Sequence, residues 1–286
     1  VTIPESSRNL AHRKAAADLQ RAIVPAPYTR KVCVPVAPPS LEARDFRDDL
    51  TRLREALPGI GRVDLAAARQ LHPALVHGQY AVTAVLAGDR LIAVEPGDTT
   101  RQHYGVALDI GTTTVVGYLI NLRTGEEAAA AFESNPQAAY GADVISRIEF
   151  AQGNPEQVET LRTAVTNAVN HILHSVARHA GITAEQIYEM TAVGNTCMMH
   201  LFLGLDPQPL GHAPYTPIHV EPLDLPAAEL GLALHPRGRV RTLPNIAGFV
   251  GADTVGVLAA GDLTRRPGLH VAVDIGTNAE VMVSEN

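Results

Sequence analysis

The sequence predicts an α/β protein in which a small α+β domain precedes a larger lobe. Three observations indicate this fold. A strand, a tight glycine-containing loop and a second strand occur twice with nearly the same residues. Strand-like apolar runs alternate with amphipathic helical segments after residue 103. A hairpin pattern beside two helical patterns fills residues 29–100.

The first hundred residues predict a linker and then the small domain. A helix over 9–23 lies in the linker, residues 1–28, and the prolines between 25 and 39 favour extended, passive connecting chain. Ser40 can cap a helix over 40–57 whose apolar residues include Leu41 and Phe46, and Asp64 can cap a shorter helix ending at 71. Strands over 80–86 and 91–94 flank a Gly-Asp turn and form a hairpin.

Residues 103–286 predict the lobe, which begins with three strands in a meander, 105–110, 115–121 and 127–132. A helix follows over 142–151. Asn154 then caps a long helix that starts at Pro155 and stops at Gly181. Its histidines are interpreted as surface residues and not as zinc ligands: His171, His174 and His179. The remaining elements are a strand at 191–193, a helix at 197–203, a strand at 239–243 and a helix over 248–260.

The repeated hairpin carries the sequence Asp-Ile-Gly-Thr, which follows an apolar run at Asp109 and again at Asp274. Apolar or β-branched residues resume soon after each glycine, so neither loop leads into a helix. Turn N–H groups and hydroxyls can surround an anion, and a carboxylate at the strand end can hold a hydrated Mg²⁺. One copy is also typical of an ordinary turn, but two copies in the same phase favour two halves of one phosphate clamp.

The candidate site residues come from both copies and from one glycine-rich helix start. The first copy supplies Asp109, Gly111, Thr112, Thr113 and Thr114, and the second supplies Asp274, Gly276, Thr277 and Asn278. Asp253 follows Gly248 and Gly251 at the start of a predicted helix. Two interpretations of Asp253 stay open: a catalytic role with a nucleotide, or stabilisation of the first helical turn.

Two other phosphate-binding motifs are excluded directly. The only lysines are Lys14 and Lys31, so the chain has no glycine-rich loop that ends in Gly-Lys-Ser/Thr. A dinucleotide-binding fingerprint needs its glycine loop to open a helix, whereas Val115 and Val116 continue as strand.

The composition of the chain excludes some classes of binding partner. A formal net charge of −7 argues against nucleic acid or an anionic membrane as the main partner. No apolar run reaches the roughly 18–20 residues of a membrane helix. No secretory signal opens the chain, so we expect it in the cytoplasm.

Cys33 and Cys197 are too few for an iron–sulfur cluster, which normally takes four thiolates. The start at Val1 and the end inside the second hairpin predict a fragment.

The order of elements resembles one lobe of the actin-like ATPase superfamily. This resemblance implies a ribonuclease-H-like lobe, with ATP and Mg²⁺ bound between two such lobes. Asp109 and Asp274 would then hold the water shell of the metal. The loops at 111–114 and 276–278 would grip the β- and γ-phosphates, and the helix after Gly248 would connect the lobes.

Longer stretches resemble a narrower family, the reductive activators of corrinoid proteins. They are Val-Thr-Ile-Pro at 1–4, Val-Glu-Pro-Gly-Asp at 94–98, Tyr-Gly-Ala-Asp-Val-Ile-Ser-Arg-Ile at 140–148, Val-Gly-Asn-Thr at 193–196, Met-His-Leu at 199–201 and Gly-Phe-Val-Gly-Ala-Asp-Thr at 248–254. The resemblance implies ATP-dependent reduction of a partner's Co(II) corrinoid to Co(I) for methyl transfer. It also implies a [2Fe–2S] cluster in an N-terminal domain that this chain lacks.

Two other functions stay open at this point: a small-molecule kinase of the same superfamily, and a non-enzymatic scaffold switched by nucleotide. The partner expected on the first interpretation is a cobalamin-carrying protein, and a homodimer is a further option. Because most of the second lobe and the adenosine-binding motif are absent from the sequence, we expect this fragment to be inactive alone and to bind ATP weakly.

Overall fold

The structure is a computed structural model that describes residues 25–276 and 279–285. The linker helix predicted over 9–23 lies outside the described residues. Helices and strands follow in chain order: β1 Thr29–Pro35, α1 Asp49–Ala56, β2 Arg62–Val63, α2 Leu65–His77, β3 Ala81–Ala87, β4 Arg90–Pro96, β5 Tyr104–Ile110, β6 Thr114–Asn121, β7 Glu127–Ser134, α3 Val144–Ala151, α4 Pro155–Ala180, β8 Ile187–Gly194, α5 Thr196–Leu203, β9 Asp224–Pro226, β10 Arg239–Thr242, α6 Ala252–Gly261, β11 Leu269–Ile275 and β12 Ala279–Glu285.

The small domain is a four-stranded sheet in the order β1-β3-β4-β2, with α1 and α2 on one face. The predicted hairpin is β3–β4, which pairs antiparallel. Strand β1 pairs antiparallel with β3 along its whole length, so the stretch expected to be a passive connector is an ordered edge strand. Buried and exposed residues alternate only weakly along β1, so the sequence offers little sign of a strand. Pro35 is tolerated because it is the last residue of the strand.

The helix predicted from Ser40 is wrong at its start. Helix α1 begins at Asp49, and the Asp48 carboxylate caps it by accepting a hydrogen bond from the Thr51 N–H. Ser40 instead accepts from the Ala43 N–H in a local turn, which competes with helix formation. Leu41 and Phe46, two of the apolar residues near helical spacing on which that prediction relied, are 83% and 72% exposed. Helix α2 is longer than predicted and continues through Pro73 to His77.

The lobe is built on a six-stranded sheet in the order β7-β6-β5-β8-β10-β9. The meander β5–β6–β7 is antiparallel, and β8 and β10 then add in parallel beside β5. Helix α4 packs on β6 and β7, with a continuous apolar stripe buried against the sheet. Its cap at Asn154, its first residue Pro155 and its stop at Gly181 are as predicted. Its three histidines are exposed.

The second hairpin, β11–β12, forms a two-stranded sheet at the end of α6. Strand β8 is longer than the predicted three residues, since it runs from Ile187 to Gly194. Strand β8 runs parallel to β5 as far as the pair Ile110–Gly194. The carboxyl ends of the two strands therefore lie at the same edge of the sheet, where the candidate site lies. No helix among the described residues has the length and apolar character needed to span a membrane.

The small domain joins the lobe through a polar junction at the other end of β8. Tyr188 is buried there, and its hydroxyl donates to the Glu95 carboxylate. Lys31 forms an ion pair with the same carboxylate at 2.7 Å. The His235 ring stacks on Tyr188 with centroids 4.2 Å apart, and the buried His103 ring lies 2.8 Å from the Thr29 hydroxyl. One strand therefore connects this junction to the loop edge of the lobe.

Candidate functional site

A cleft of about 290 Å³ lies where the two Asp-Ile-Gly-Thr hairpins meet. Its lining residues are Asp109, Gly111, Thr112, Thr113, Thr114, Asn195, Asp253, Asp274, Gly276 and Glu280. The structure thus brings together every described residue that the sequence proposed for the site. Thr277 and Asn278, the other two candidates, lie outside the described residues. Asn195 and Glu280 are lining residues that sequence reasoning missed.

The first loop turns directly from β5 into β6. The Gly111 N–H donates to the Thr114 carbonyl at 3.0 Å, which closes the turn. Thr112 is buried, and its hydroxyl accepts from the Asn195 side-chain amide at 3.1 Å. Asn195 also caps α5, where its side-chain oxygen accepts from the Met198 N–H. The signal that could have found Asn195 was its place directly after β8, at the same sheet edge as Asp109.

Helix α6 approaches the cleft through a glycine that no larger residue could replace. A Cβ atom at Gly251 would lie 2.4 Å from the Asn195 Cα and 2.5 Å from the Gly194 carbonyl. This contact between backbones brings the first turn of α6 to the cleft, with Asp253 in it. The Asp253 carboxylate accepts from the Thr254 N–H at 2.7 Å and also lines the cleft. Both interpretations of Asp253 therefore remain consistent with its position.

The cleft is strongly negative. Loss of hydration, followed by the charges of Asp253 and Asp274, raises the pKa of Asp109 to about 6, although its side chain opens to the cleft. Burial is also the main cause that raises the pKa of Asp253 and of Glu280. Within the described part of the chain, none of these carboxylates is in an ion pair. The negative charge of these carboxylates therefore favours the binding of a cation in the cleft.

Glu280 enters the site because it lies directly opposite Asp274 in the β11–β12 pair. Two carboxylates therefore project from neighbouring strands on the same face of the second hairpin. The sequence offered no reason to select Glu280, since the residue at the same offset in the first copy is Val115.

The donor set fits a hydrated Mg²⁺ held with a polyphosphate. Carboxylate oxygens and hydroxyls are ligands that Mg²⁺ prefers, and this ion usually keeps several of its waters. Among the described residues, no group of three or more His, Cys, Asp or Glu side chains is placed to hold a metal ion directly. That Asp109 and Asp274 hold the metal through its water shell stays a prediction.

Comparison with known proteins identifies relatives along nearly the whole chain. Residues 104–266 match the family model described as the RACo middle region, and residues 18–101 match that of the RACo linker region. The corrinoid activation enzyme RamQ of Eubacterium limosum is 34% identical over 238 residues, which cover 82% of this chain and 40% of that protein. The division of the chain into domains at residues 28 and 100 stays a prediction.

Among solved structures, a reductive activator for a corrinoid, iron–sulfur protein matches with a TM-score of 0.82 and 31% identity. The match covers 93% of this chain and 43% of that one. It confirms the predicted fold class, an actin-type, ribonuclease-H-like lobe after a small α+β domain. The chain spans about two fifths of the length of both relatives.

Proposed function

The chain belongs to the RACo family of reductive activators of corrinoid proteins, and we propose that its cleft binds ATP with Mg²⁺ to drive such an activation. The observation that supports this proposal most is the meeting of two like hairpins at one strongly negative cleft. An anionic cleft of this kind suits a nucleotide only together with a cation, because phosphate alone would be repelled.

Each group of residues has a distinct task in this proposal. The loop at 111–114 and Gly276 bind the phosphates, Asn195 fixes the first loop through the Thr112 hydroxyl, and Asp109 and Asp274 hold the water shell of the metal. Bound Mg²⁺ would offset part of the negative charge of the carboxylates and of the phosphates. ATP can favour one arrangement of the two lobes over another only through a difference in affinity between those arrangements.

The substrate is the cobalt of a partner protein's corrinoid, which gains one electron when Co(II) becomes Co(I). That electron would come from a [2Fe–2S] cluster in the full-length protein. Such a cluster normally needs four thiolates, and this chain contains only Cys33 and Cys197. Cys197 is buried, which raises the pKa of its thiol to about 12 and makes it a poor metal ligand. The homodimer and the cytoplasmic location stay predictions.

The experiment that tests the nucleotide site measures Mg²⁺-dependent ATP hydrolysis by the full-length protein. We expect Asp109→Asn and Asp274→Asn each to lower the rate roughly a hundredfold or more, since each removes a carboxylate that positions the metal. The matched control is Glu126→Gln, which removes one negative charge from an exposed residue outside the cleft. It should leave the rate unchanged. Turnover near the wild-type rate in either aspartate variant would remove the assignment.

A further inference from the structure

Arg147 lies fully buried directly behind the first loop, although it has no role in the site described above. It belongs to helix α3, within the Tyr-Gly-Ala-Asp-Val-Ile-Ser-Arg stretch. Its guanidinium donates to the carbonyls of Thr112, at 2.6 Å, and Gly141, at 2.9 Å. Its remaining partners are the Gln137 side-chain oxygen at 3.2 Å and the Met198 sulfur at 3.0 Å.

Three successive carbonyl groups of the loop, those of Gly111, Thr112 and Thr113, accept hydrogen bonds from Asn135 or Arg147. The Gly111 carbonyl accepts from the Asn135 side-chain amide at 2.9 Å, and the Thr113 carbonyl accepts from the Asn135 N–H at 2.8 Å. The Thr112 carbonyl between them accepts from Arg147. In a trans peptide the N–H points away from the preceding carbonyl. Fixing the carbonyls of Gly111 and Thr112 from behind therefore turns the N–H groups of Thr112 and Thr113 to the opposite side, toward the cleft.

Stability alone gives little reason for an arginine at this position. The ion pairs among the described residues do not include Arg147, so its charge is buried against neutral acceptors. Removing a cation from water without a carboxylate partner is unfavourable, and an apolar side chain of similar length often serves as well. The feature that an apolar residue could not reproduce is the fork of donors, which reaches the Thr112 and Gly141 carbonyls together.

We infer that Arg147 is the positioning residue of the first phosphate loop: it fixes the Thr112 peptide so that amide N–H groups face the anion and adds a positive charge behind them. This inference rests on the proposed nucleotide site. The 140–148 stretch would then serve to place the Arg147 side chain behind the first loop.

The first test is independent of nucleotide and uses hydrogen–deuterium exchange on the full-length protein. The reporters are the amides of Gly111 and Asn135, which donate to the Thr114 and Thr113 carbonyls. In Arg147→Met we expect both to exchange roughly tenfold faster or more. Arg147→Lys should also accelerate them, because one ammonium group cannot span the Thr112 and Gly141 carbonyls. Unchanged exchange in Arg147→Met would overturn the inference.

The second test is the affinity for Mg-ATP, measured by calorimetric titration of the same proteins. We expect Arg147→Met to weaken binding roughly tenfold or more and Arg147→Lys to fall between it and the wild type. Val169→Ala, which opens a cavity in the core of the same lobe away from the loop, controls for destabilisation and should bind as the wild type does. Wild-type affinity in Arg147→Lys would overturn the claim that the donor fork matters.

The two tests separate this inference from the proposed function. If the wild-type protein binds no Mg-ATP, the nucleotide site is wrong, and the exchange of Gly111 and Asn135 still decides whether Arg147 holds the loop. If the wild type binds and Arg147→Met binds equally well, the nucleotide site stands and the role of Arg147 is wrong. Should Arg147→Met fail to fold, Arg147→Lys carries both measurements.

Discussion

Asp274 lies directly opposite Glu280 in the second hairpin, whereas Asp109, the corresponding aspartate of the first hairpin, lies opposite Val116. The difference arises because four residues separate Ile110 and Val115, the last pair of the first hairpin, whereas three separate Ile275 and Ala279, the last pair of the second. Two hairpins that match in sequence are therefore paired one residue differently. Like charges on directly opposite residues destabilise a strand pair, so the second hairpin carries a cost that the first does not.

Replacing Glu280 should strengthen the second hairpin. In Glu280→Gln we expect the amides of 269–275 and 279–285 to exchange a few-fold more slowly at neutral pH, equivalent to up to about 1 kcal/mol. The matched control is Glu285→Gln, since Glu285 lies on the same strand opposite Leu269. Equal protection in the two variants would show that the Asp274–Glu280 pair carries no repulsion.

Asp109 should reduce the stability of the protein without ligand at neutral pH. Its folded-state pKa, about 6, is raised above the ordinary aspartate value, so the ionised form destabilises the fold above pH 6, and this effect fades as pH falls toward 4. We expect Asp109→Asn to raise the free energy of unfolding at pH 7.5 by about 1 kcal/mol, after allowance for screening in the open cleft.

Urea unfolding of the chain at pH 7.5 and at pH 4.5 checks this prediction. The gain from Asp109→Asn should shrink at the lower pH, where the folded wild-type carboxyl is already largely protonated. Glu126→Gln serves again as the exposed control and should change stability little at either pH. A loss of stability in Asp109→Asn at pH 7.5 would contradict the electrostatic account of the cleft.

Acid should weaken the junction between the small domain and the lobe. Burial, and next the charge of Lys31, lowers the pKa of His103 to about 4, and burial likewise lowers the pKa of His235 to about 4. Both rings stay neutral in the fold but take up a proton on unfolding below about pH 6.5. Stability should therefore fall as pH decreases from 6.5 to 4, by on the order of 1–2 kcal/mol per histidine at pH 5.

One pair of variants shows whether His235 causes part of the pH dependence of stability. His235→Phe keeps a ring to stack on Tyr188 but removes the titrating group, so its stability should fall less between pH 7.5 and pH 5. His174→Phe, on the exposed face of α4, should retain the wild-type fall. Urea unfolding at the two pH values gives the comparison, and identical slopes for all three proteins would refute the assignment.

Gly117 should be intolerant of any side chain. A Cβ atom there would lie 2.5 Å from the Ile172 Cγ2 methyl, which is stiff because isoleucine branches at Cβ. We expect Gly117→Ala to lower the free energy of unfolding by about 1–3 kcal/mol. The loss should be smaller in a protein that already carries Ile172→Ala. Gly256→Ala is the control, since its Cβ would make only ordinary contacts at 3.8 Å, and it should not destabilise.

The sequence was most informative where local signals agree with packing. Helix α4 was predicted to the residue because a cap, a first-position proline, an apolar stripe and a terminal glycine all indicate the same helix. The hairpins were predicted because a strand pattern resumes immediately after each loop. Local signals failed at Ser40, where a plausible cap without a buried stripe behind it forms only a turn.

Features fixed by partners distant in sequence could not be predicted. Strand β1 is ordered by pairing with β3, and no period in its own residues required that pairing. Asn195 joins the site through a side-chain contact with Thr112, and Glu280 through a pairing register set by loop length. The support of the first loop by Arg147 could not be predicted from the sequence either, because the partners of Arg147 lie in three separate segments, at 112, 137–141 and 198.

We propose that nucleotide bound at this cleft drives the reduction of a partner protein's corrinoid. The most direct measurement is the absorbance spectrum of a corrinoid-carrying partner mixed with the full-length protein, its cluster chemically reduced, with and without Mg-ATP. We predict conversion of the Co(II) spectrum to Co(I) only when Mg-ATP is present, with ATP hydrolysis faster in the presence of the partner. A Co(II) spectrum that never changes, while a small acceptor molecule is phosphorylated, would contradict the account and favour a kinase.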